Sequence, residues 1–354
     1  FLHRIPLPGD RAHVMVVDLL EQRSHIVYET RGWGAQLGAH TQWGPDDDTV
    51  VCNDVIDGRG RGIRINYKTL EWFALDGPIY GLTPCRQYSY APALELVNAS
   101  QHGYGVPEHL VGKKRLRERR DQYEGIWRTN IVSGETERFL SIAEIVNDLP
   151  QQNAVEGGIY YPYNVKVSPC GRRLLVVLFS VNVAGQLGWK PQLITIDLST
   201  KERFLIVSAK QWERGGHHAN WSPDGESILM NLRIDGPGLD FVELDWKGRW
   251  SRKPVPSLRG SGHPSFDNSK KFIMTDAYRV EGFADALGEI PIRLINVDAG
   301  KESILCRLST AGYDGLRRID PHPVWAQNSN CAIFNGIVEG YRQIFIADTS
   351  DMQK

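Results

Sequence analysis

The chain of 354 residues carries 41 Lys and Arg against 42 Asp and Glu, a formal charge of −1, so nothing in the balance points to nucleic acid or an acidic membrane surface as partner. Its longest apolar run, LLVVLFSVNVAG from Leu174, is too short to cross a bilayer. Five cysteines without CxxC spacing spell neither a cysteine zinc site nor a disulfide framework, and most of them are expected in the core.

Taken in order, the chain repeats one grammar. The alternating segment HVMVVDL at His13 and the residues up to 30 predict two strands. HTQWGPDDDTVVCND at His40 then predicts a short strand, a tight Pro/Asp turn and an apolar strand, which is a hairpin. A weaker unit is expected from RQYSYAPALELVNAS at Arg86. A polar insertion follows at about residues 100–124, QHGYGVPEHLVGKKRLRERR, and SIAEIVNDL at Ser141 is the best helical candidate.

The grammar returns in NVKVSPCGRRLLVVLF at Asn164, HANWSPDGESILMNL at His218, HPSFDNSKKFIMTDA at His263 and HPVWAQNSNCAIFNG at His322. Third strands such as QLITIDLST, DFVELDWKG, IRLINVDAG and QIFIADTSD end in Asp and a turn, and fourth strands read as KERFLIVSA and KESILCRLS. Units of four antiparallel strands about 45–60 residues apart are the signature of propeller blades. The expectation is an all-β, single-domain, seven-bladed β-propeller, with the N-terminal strands helping to close the last blade; six blades is the alternative. The turns serve folding: Asp and Gly supply the backbone conformation, and Trp43, Trp221 and Trp325 are expected between sheets in equivalent positions on different blades.

Four histidines stand where inner strands begin: His40, His218, His263 and His322. Inner strands of a propeller line its channel, so these imidazoles are expected to converge, an arrangement suited to metal binding or proton transfer.

The C-terminal segment GLRRIDPHPVWAQNSNCAIFNGIVEGYRQIFIADTSD, with the order His218, His263, His322, resembles the oligogalacturonate lyases, propeller enzymes that cleave uronic-acid chains by β-elimination. That resemblance implies His263 and His322 as ligands of a divalent metal, with His218 in the same channel and Asp320 where the family has a further histidine. The ion is Zn2+, Mn2+ or Ca2+, structural or catalytic, and the Asp moves the preference toward oxygen-loving ions. GAHTQWGPDDDTVVCND with the insertion resembles the propeller lyases of ulvan and of rhamnose-capped glucuronate, whose sites combine histidine, tyrosine and arginine. It implies Tyr104 as base and acid, Arg120 as electrostatic partner, and His40 with Asn53 near the substrate carboxylate. His40 is the competing base.

β-Elimination needs a group to neutralise the C5 carboxylate, a base for the C5 proton and an acid for the departing oxygen. Arginine suits the first through its planar fork, and Arg214, His217, Arg317 and Arg318 are further candidates for substrate binding. The expected activity is that of a polysaccharide lyase giving a 4,5-unsaturated uronate. The expected partner is an acidic polysaccharide or oligosaccharide, with no nucleic acid and no membrane, met by a monomer or weak dimer. The resemblance implies secretion or a periplasmic place. The rival reading is a non-catalytic propeller that binds a glycan or protein; no GxSxG nucleophile elbow follows the repeats to suggest a serine peptidase.

Overall fold

The computed structural model describes residues 9–101, 103–107, 124–147, 149, 158–182, 189–310, 315, 318–326 and 329–353. A hairpin of β1 (Ala12–Asp18) and β2 (Arg23–Thr30) comes first. Six propeller blades follow. The first holds β3 (Gln42–Trp43), β4 (Thr49–Ile56), β5 (Arg59–Asn66) and β6 (Trp72–Ala74). The second holds β7 (Gly81–Leu82), β8 (Tyr88–Ala91), β9 (Gly125–Asn130) and β10 (Thr136–Ser141). The third holds β11 (Gly158–Val167), β12 (Arg173–Asn182), β13 (Trp189–Asp197) and β14 (Arg203–Val207). The fourth holds β15 (Gly216–Trp221), β16 (Ser227–Leu232), β17 (Asp240–Asp245) and β18 (Ser251–Arg252). The fifth holds β19 (Ser265–Phe266), β20 (Phe272–Thr275), β21 (Glu289–Asn296) and β22 (Lys301–Ser309), and the sixth β23 (Val324–Trp325), β24 (Cys331–Val338) and β25 (Tyr341–Asp348).

The blade count corrects the expectation of seven. The N-terminal strands form a two-stranded sheet of their own, and Val14 and Val27 are buried against Val50, Cys52, Ile63 and Ile65 of the first blade. They cover an existing blade rather than founding a new one. The second blade also begins earlier than expected, at the two-residue β7, because the segment read as its first strand is its second. Of the five cysteines only Cys52 is buried; Cys85 is exposed and the others are intermediate.

The chain divides into two compact units, one running from the N-terminal hairpin to Trp189 with Ile196–Arg203, the other composed mainly of Phe204–Lys354. In the first, Val51 of β4 packs with Leu75, Ile79 and Ile131. In the second, Leu229 and Phe241 of the fourth blade pack with Phe266, Ile273 and Ile295 of the fifth, and Met274 and Ile292 of the fifth with Ala332 and Phe334 of the sixth. Second strands such as β16 and β20 are buried along their whole length, which explains why they read as continuous apolar runs.

The turn between first and second strands has one geometry in the second to sixth blades. Arg86, Gly171, Gly225, Lys270 and Ser329 all have left-handed φ between 56° and 71°, and each donates its N–H to the carbonyl three residues back. Trp43, Trp221 and Trp325 each end the first strand of a different blade, but only Trp221 is deeply buried and Trp43 is 47% exposed. The helical expectation at Ser141 is met by α2 (Ile142–Asn147); Ser141 Oγ and Glu144 bond reciprocally in a capping box. The insertion after β8 opens with α1 (Leu94–Ser100), and Arg120 lies outside the described residues.

Asn53 has a structural task. Its side chain donates to the carbonyls of Ala39 (3.3 Å) and Ile79 (2.9 Å) and accepts from Ile79 N–H (2.9 Å), all in the interior. Its amide hydrogens are thus committed to backbone. Asn53→Ala should therefore destabilise the protein by about 2–4 kcal/mol, through buried backbone groups left without partners. Urea denaturation measures it, and a loss under about 0.5 kcal/mol would contradict this role.

Candidate functional site

In the C-terminal unit, the starts of the fourth, fifth and sixth blades bring His218, His263 and His322 together. The ring centroids of His218 and His263 are 3.8 Å apart and those of His263 and His322 4.0 Å, with interplanar angles of 34° and 39°. Local backbone aims them. His218 sits at a bulge where the pairing of β15 with β16 slips, at φ 55°, and His322 has φ 46°. Left-handed backbone at a non-glycine residue is uncommon and persists where its surroundings hold it. At the fifth blade the left-handed residue is Gly262 (φ 51°), and a Cβ there would overlap Asp276 Oδ1, so only glycine fits.

Asp276, buried just after β20, fixes two of the three histidines. Its Oδ1 accepts the backbone N–H of His263 (2.7 Å), its Oδ2 that of His322 (2.9 Å), and both oxygens lie about Nδ1 of His263 at 2.9 and 3.0 Å. Burial pushes this carboxyl above its ordinary range, against the pull of the N–H donors.

Around these rings the hydrogen bonds define the tautomers. His217 Nε2 lies 3.1 Å from Glu281 Oε1, a carboxylate that can only accept, so the ring proton is on Nε2 and Nδ1 is left as an acceptor. His218 Nδ1, 2.7 Å from both His217 Nδ1 and the Gly262 carbonyl, must then carry the proton. His263 Nδ1 donates to Asp276. The Nε2 lone pairs of His218 and His263 both face the hydroxyl of Tyr278, at 3.2 and 3.3 Å. Two acceptors share one proton. Glu281 Oε2 holds Tyr278 in place by accepting its backbone N–H at 2.8 Å. Burial and the neighbouring imidazoles lower the pKa of His218 well below 6.5, so it stays neutral.

Arg318 lies with its guanidinium carbon 5.7 Å from the centroid of Tyr278 and bonds Asp320 Oδ2 through Nε (3.1 Å) and Nη2 (2.9 Å). Asp320 is pushed up by burial in spite of that partner. Arg214 is exposed and donates to the Ile234 carbonyl at 2.8 Å; Arg317 lies outside the described residues.

His40 belongs to the other compact unit. It starts the first blade at φ 54°, its ring 4.6 Å from that of Tyr80, and its Nε2 is 3.4 Å from the backbone carbonyl of Tyr104. Burial lowers its pKa to about 4. The Tyr104 ring packs 5.6 Å from that of Tyr163. Sequence reasoning missed Tyr278, Asp276, Glu281 and Asn231. Asn231 occupies the strand position that Asn53 holds in its own blade, and that recurrence was the available signal.

No protein-family model matches the chain, and no curated protein does. Among solved structures it is similar to an oligogalacturonate lyase in complex with manganese, with TM-score 0.64 and 16% identity over 95% of this chain and 82% of that one. It is also similar to a prolyl endopeptidase (TM-score 0.53, 12% identity, 93% of this chain and 43% of that one) and to the tricorn protease (0.53, 8%, 88% and 29%). The likeness is one of fold. It gives no support to the ulvan and rhamnose–glucuronate part of the sequence resemblance.

A metal does not fit the donor set as arranged. Two imidazoles bound to one ion through Nε2 at about 2.1 Å would hold their centroids about 4.5–5 Å apart, farther than the stacked spacing found. The point where two Nε2 atoms converge is filled by a phenol, and Arg318 engages Asp320. Among the described residues no group of three His, Cys, Asp or Glu could hold an ion. No helix among them is long and apolar enough to cross a membrane.

Histidines held neutral make stability depend on pH. The unfolded chain protonates them near 6.5, while the fold keeps His40 uncharged to about 4 and His218 to well below 6.5. The unfolded state thus binds more protons, and stability falls as pH drops through 6.5. The loss should approach about 1.4 kcal/mol per pH unit for each such histidine. Melting temperature should fall steadily from pH 7 to pH 5, with a shallower fall in His40→Gln; identical slopes in both proteins would show that His40 is protonated in the fold.

Proposed function

We propose that this protein is a polysaccharide lyase that cleaves a uronic-acid-containing glycan by β-elimination. One observation carries the reading: a phenol hydroxyl set between the Nε2 atoms of His218 and His263, with a guanidinium beside the same ring. The combination matches the reaction's demands. The guanidinium of Arg318 lies beside Tyr278, and a uronate carboxylate paired with it would lie beside the same ring. Pairing the carboxylate favours the charge that develops on it as the C5 proton leaves. The neutral imidazole–phenol group supplies the acid–base function near working pH. The fold likeness to an oligogalacturonate lyase agrees with this reading and supports a substrate of that chemical class.

The polar group of the N-terminal unit offers a second centre for the same chemistry. There the neutral His40 would act as base with Tyr104 and Arg120 beside the carboxylate. His40 retains Nδ1 as an acceptor when Nε2 donates to the Tyr104 carbonyl. Asn53 has no amide hydrogen left for a substrate. An acidic glycan substrate of this kind would place the activity outside the cytoplasm.

The test is incubation with a panel of uronate polysaccharides and oligosaccharides while following the ultraviolet absorbance of the unsaturated product. Absorbance should rise on at least one substrate, and Arg318→Ala should lower kcat/KM about 100-fold through the unpaired carboxylate. No rise on any of them would leave a propeller that binds without turnover.

A further inference from the structure

Resting on the lyase reading, we propose that arginines on the loops of the fourth and fifth blades form a second anion subsite, which takes the carboxylate or sulfate ester of a sugar next to the reacting uronate. Four arginines meet at one rim: Arg214 just before β15, Arg233 just after β16, Arg259 ahead of β19 and Arg279 in the turn after β20. Contacts join them into one strip. Arg214 Nη2 donates to the Ile234 carbonyl at 2.8 Å, and a Cβ at Gly215 would lie 3.5 Å from Arg233 Nε. The loop after Arg233 then brings Gly238 to Arg259, whose Nε would lie 3.0 Å from a Cβ there, and Arg259 Nη2 donates to the Glu281 carbonyl at 3.3 Å. Arg279 directly follows Tyr278, so the strip ends beside the phenol.

The charge on this strip is unmatched. Among the described residues none of the four arginines has a carboxylate partner, whereas the carboxylates of the same rim are already engaged: Lys253 Nζ pairs with Asp235 at 3.2 Å and with Asp240 at 3.1 Å. Glu281 accepts the N–H groups of Gly262 (3.2 Å) and Tyr278 (2.8 Å) and lies 3.1 Å from His217 Nε2. Elsewhere on the fourth blade arginines do find carboxylates, Arg249 at Asp245 and Arg252 at Glu243. Two of the strip's guanidiniums are also held in a manner that favours an arriving anion. Arg233 Nε is buried and meets no acceptor among the described residues, and an enclosed N–H without a partner is costly. Arg259 lies over Phe283, its guanidinium carbon 5.5 Å from the ring centroid, and the same ring carries Arg293 at 4.2 Å. Glu302 balances Arg293 at 2.6 Å; Arg259 keeps its charge open. Guanidinium forks take carboxylates and sulfate esters in paired bonds, and contacts this far along the chain hold the ground state and the transition state alike. The strip therefore selects a glycan with acidic groups on more than one sugar, since one acid at the reacting residue would leave these arginines unmatched.

The experiment measures binding of fluorescein-labelled oligosaccharides to the full chain by polarisation. The probes are a galacturonate oligomer, its carboxyl-reduced form, a sulfated dextran oligomer and unsulfated dextran. The wild type should bind one or both anionic probes at least about 10-fold more tightly than the neutral counterpart, with the preference falling as salt is added; which probe is preferred separates a carboxylate from a sulfate ester. Arg233→Gln with Arg259→Gln should weaken the anionic probe about 10-fold or more. Arg249→Gln, at an exposed arginine already paired with Asp245, should leave it unchanged. If the double variant does not fold, Arg259→Gln alone, at an exposed side chain, should still weaken it about 3-fold. No preference for an anionic probe in the wild type, unchanged binding in the folded variants, or an equal loss in Arg249→Gln overturns the subsite. The lyase reading fails separately, by absence of product from the wild type on the uronate panel, and the sulfated probe has no uronate to eliminate, so its binding is decided without turnover.

Discussion

The carboxylate of Asp276 is the constraint on which the C-terminal site depends. It collects the backbone N–H of two consecutive blades, His263 and His322, and one side-chain nitrogen. A buried carboxylate stripped of such donors would be costly, and the donors without it would be stranded in turn. Each side therefore fixes the other, and the positions of the two imidazoles follow from it. The requirement reaches one residue further, to Gly262, whose lack of a side chain leaves room for Asp276 Oδ1. A polar residue late in a second strand thus sets both the joint between blades and the placement of the rings.

The same device recurs with other chemistry. Asn53 in β4 bonds the Ile79 backbone ahead of the second blade, and Asn231 in β16 donates to the carbonyls of Ser261 and Gly262 ahead of the fifth. Thr275 in β20 reaches the Ser261 carbonyl from within its own blade, and the next residue, Asp276, reaches the sixth. Each gives a buried backbone group a partner that sheet pairing leaves without one. These are edge-of-strand staples written as one polar residue inside an apolar run. In the fourth blade the staple also borders the site, because Asn231 Nδ2 lies 3.2 Å from His217 Nδ1.

How much of this was legible follows from what each signal reports. Turn chemistry is local, so the Pro/Asp/Gly turns, the strands that flank them and the capped helix at Ile142 could be read from neighbouring residues alone. The number of blades is not local: β1 and β2 alternate as blade strands do, and only the packing of Val14 and Val27 on the first blade shows that they cover it. The histidine order was legible because three rings occupy one place in a repeat, and three of them do meet. Tyr278 was invisible for the opposite reason. It follows β20 in TDAYRVEG, outside the repeated grammar, and gains its meaning from Glu281, three residues on, and from two rings 15 and 60 residues away. Asn53 carried two readings, because a polar residue in an apolar strand signals a ligand and a staple equally until its partners are known.

The stacking of the imidazoles itself argues for proton transfer over metal binding. Rings 3.8–4.0 Å apart pack closely without like-charge repulsion only while uncharged, and enclosure favours that state for His218. The Nδ1 of His218 is turned to the Gly262 carbonyl and that of His263 to the Asp276 carboxyl, so the Nε2 edges of these two rings face the phenol. A metal would satisfy several such lone pairs at once and would spread the rings to do so. A single phenol hydroxyl lies at nearly the same distance from both nitrogens, 3.2 and 3.3 Å. On the lyase reading, a substrate carboxylate paired with Arg318 would meet a hydroxyl already held in place, and preorganisation of this kind is where most electrostatic catalysis originates.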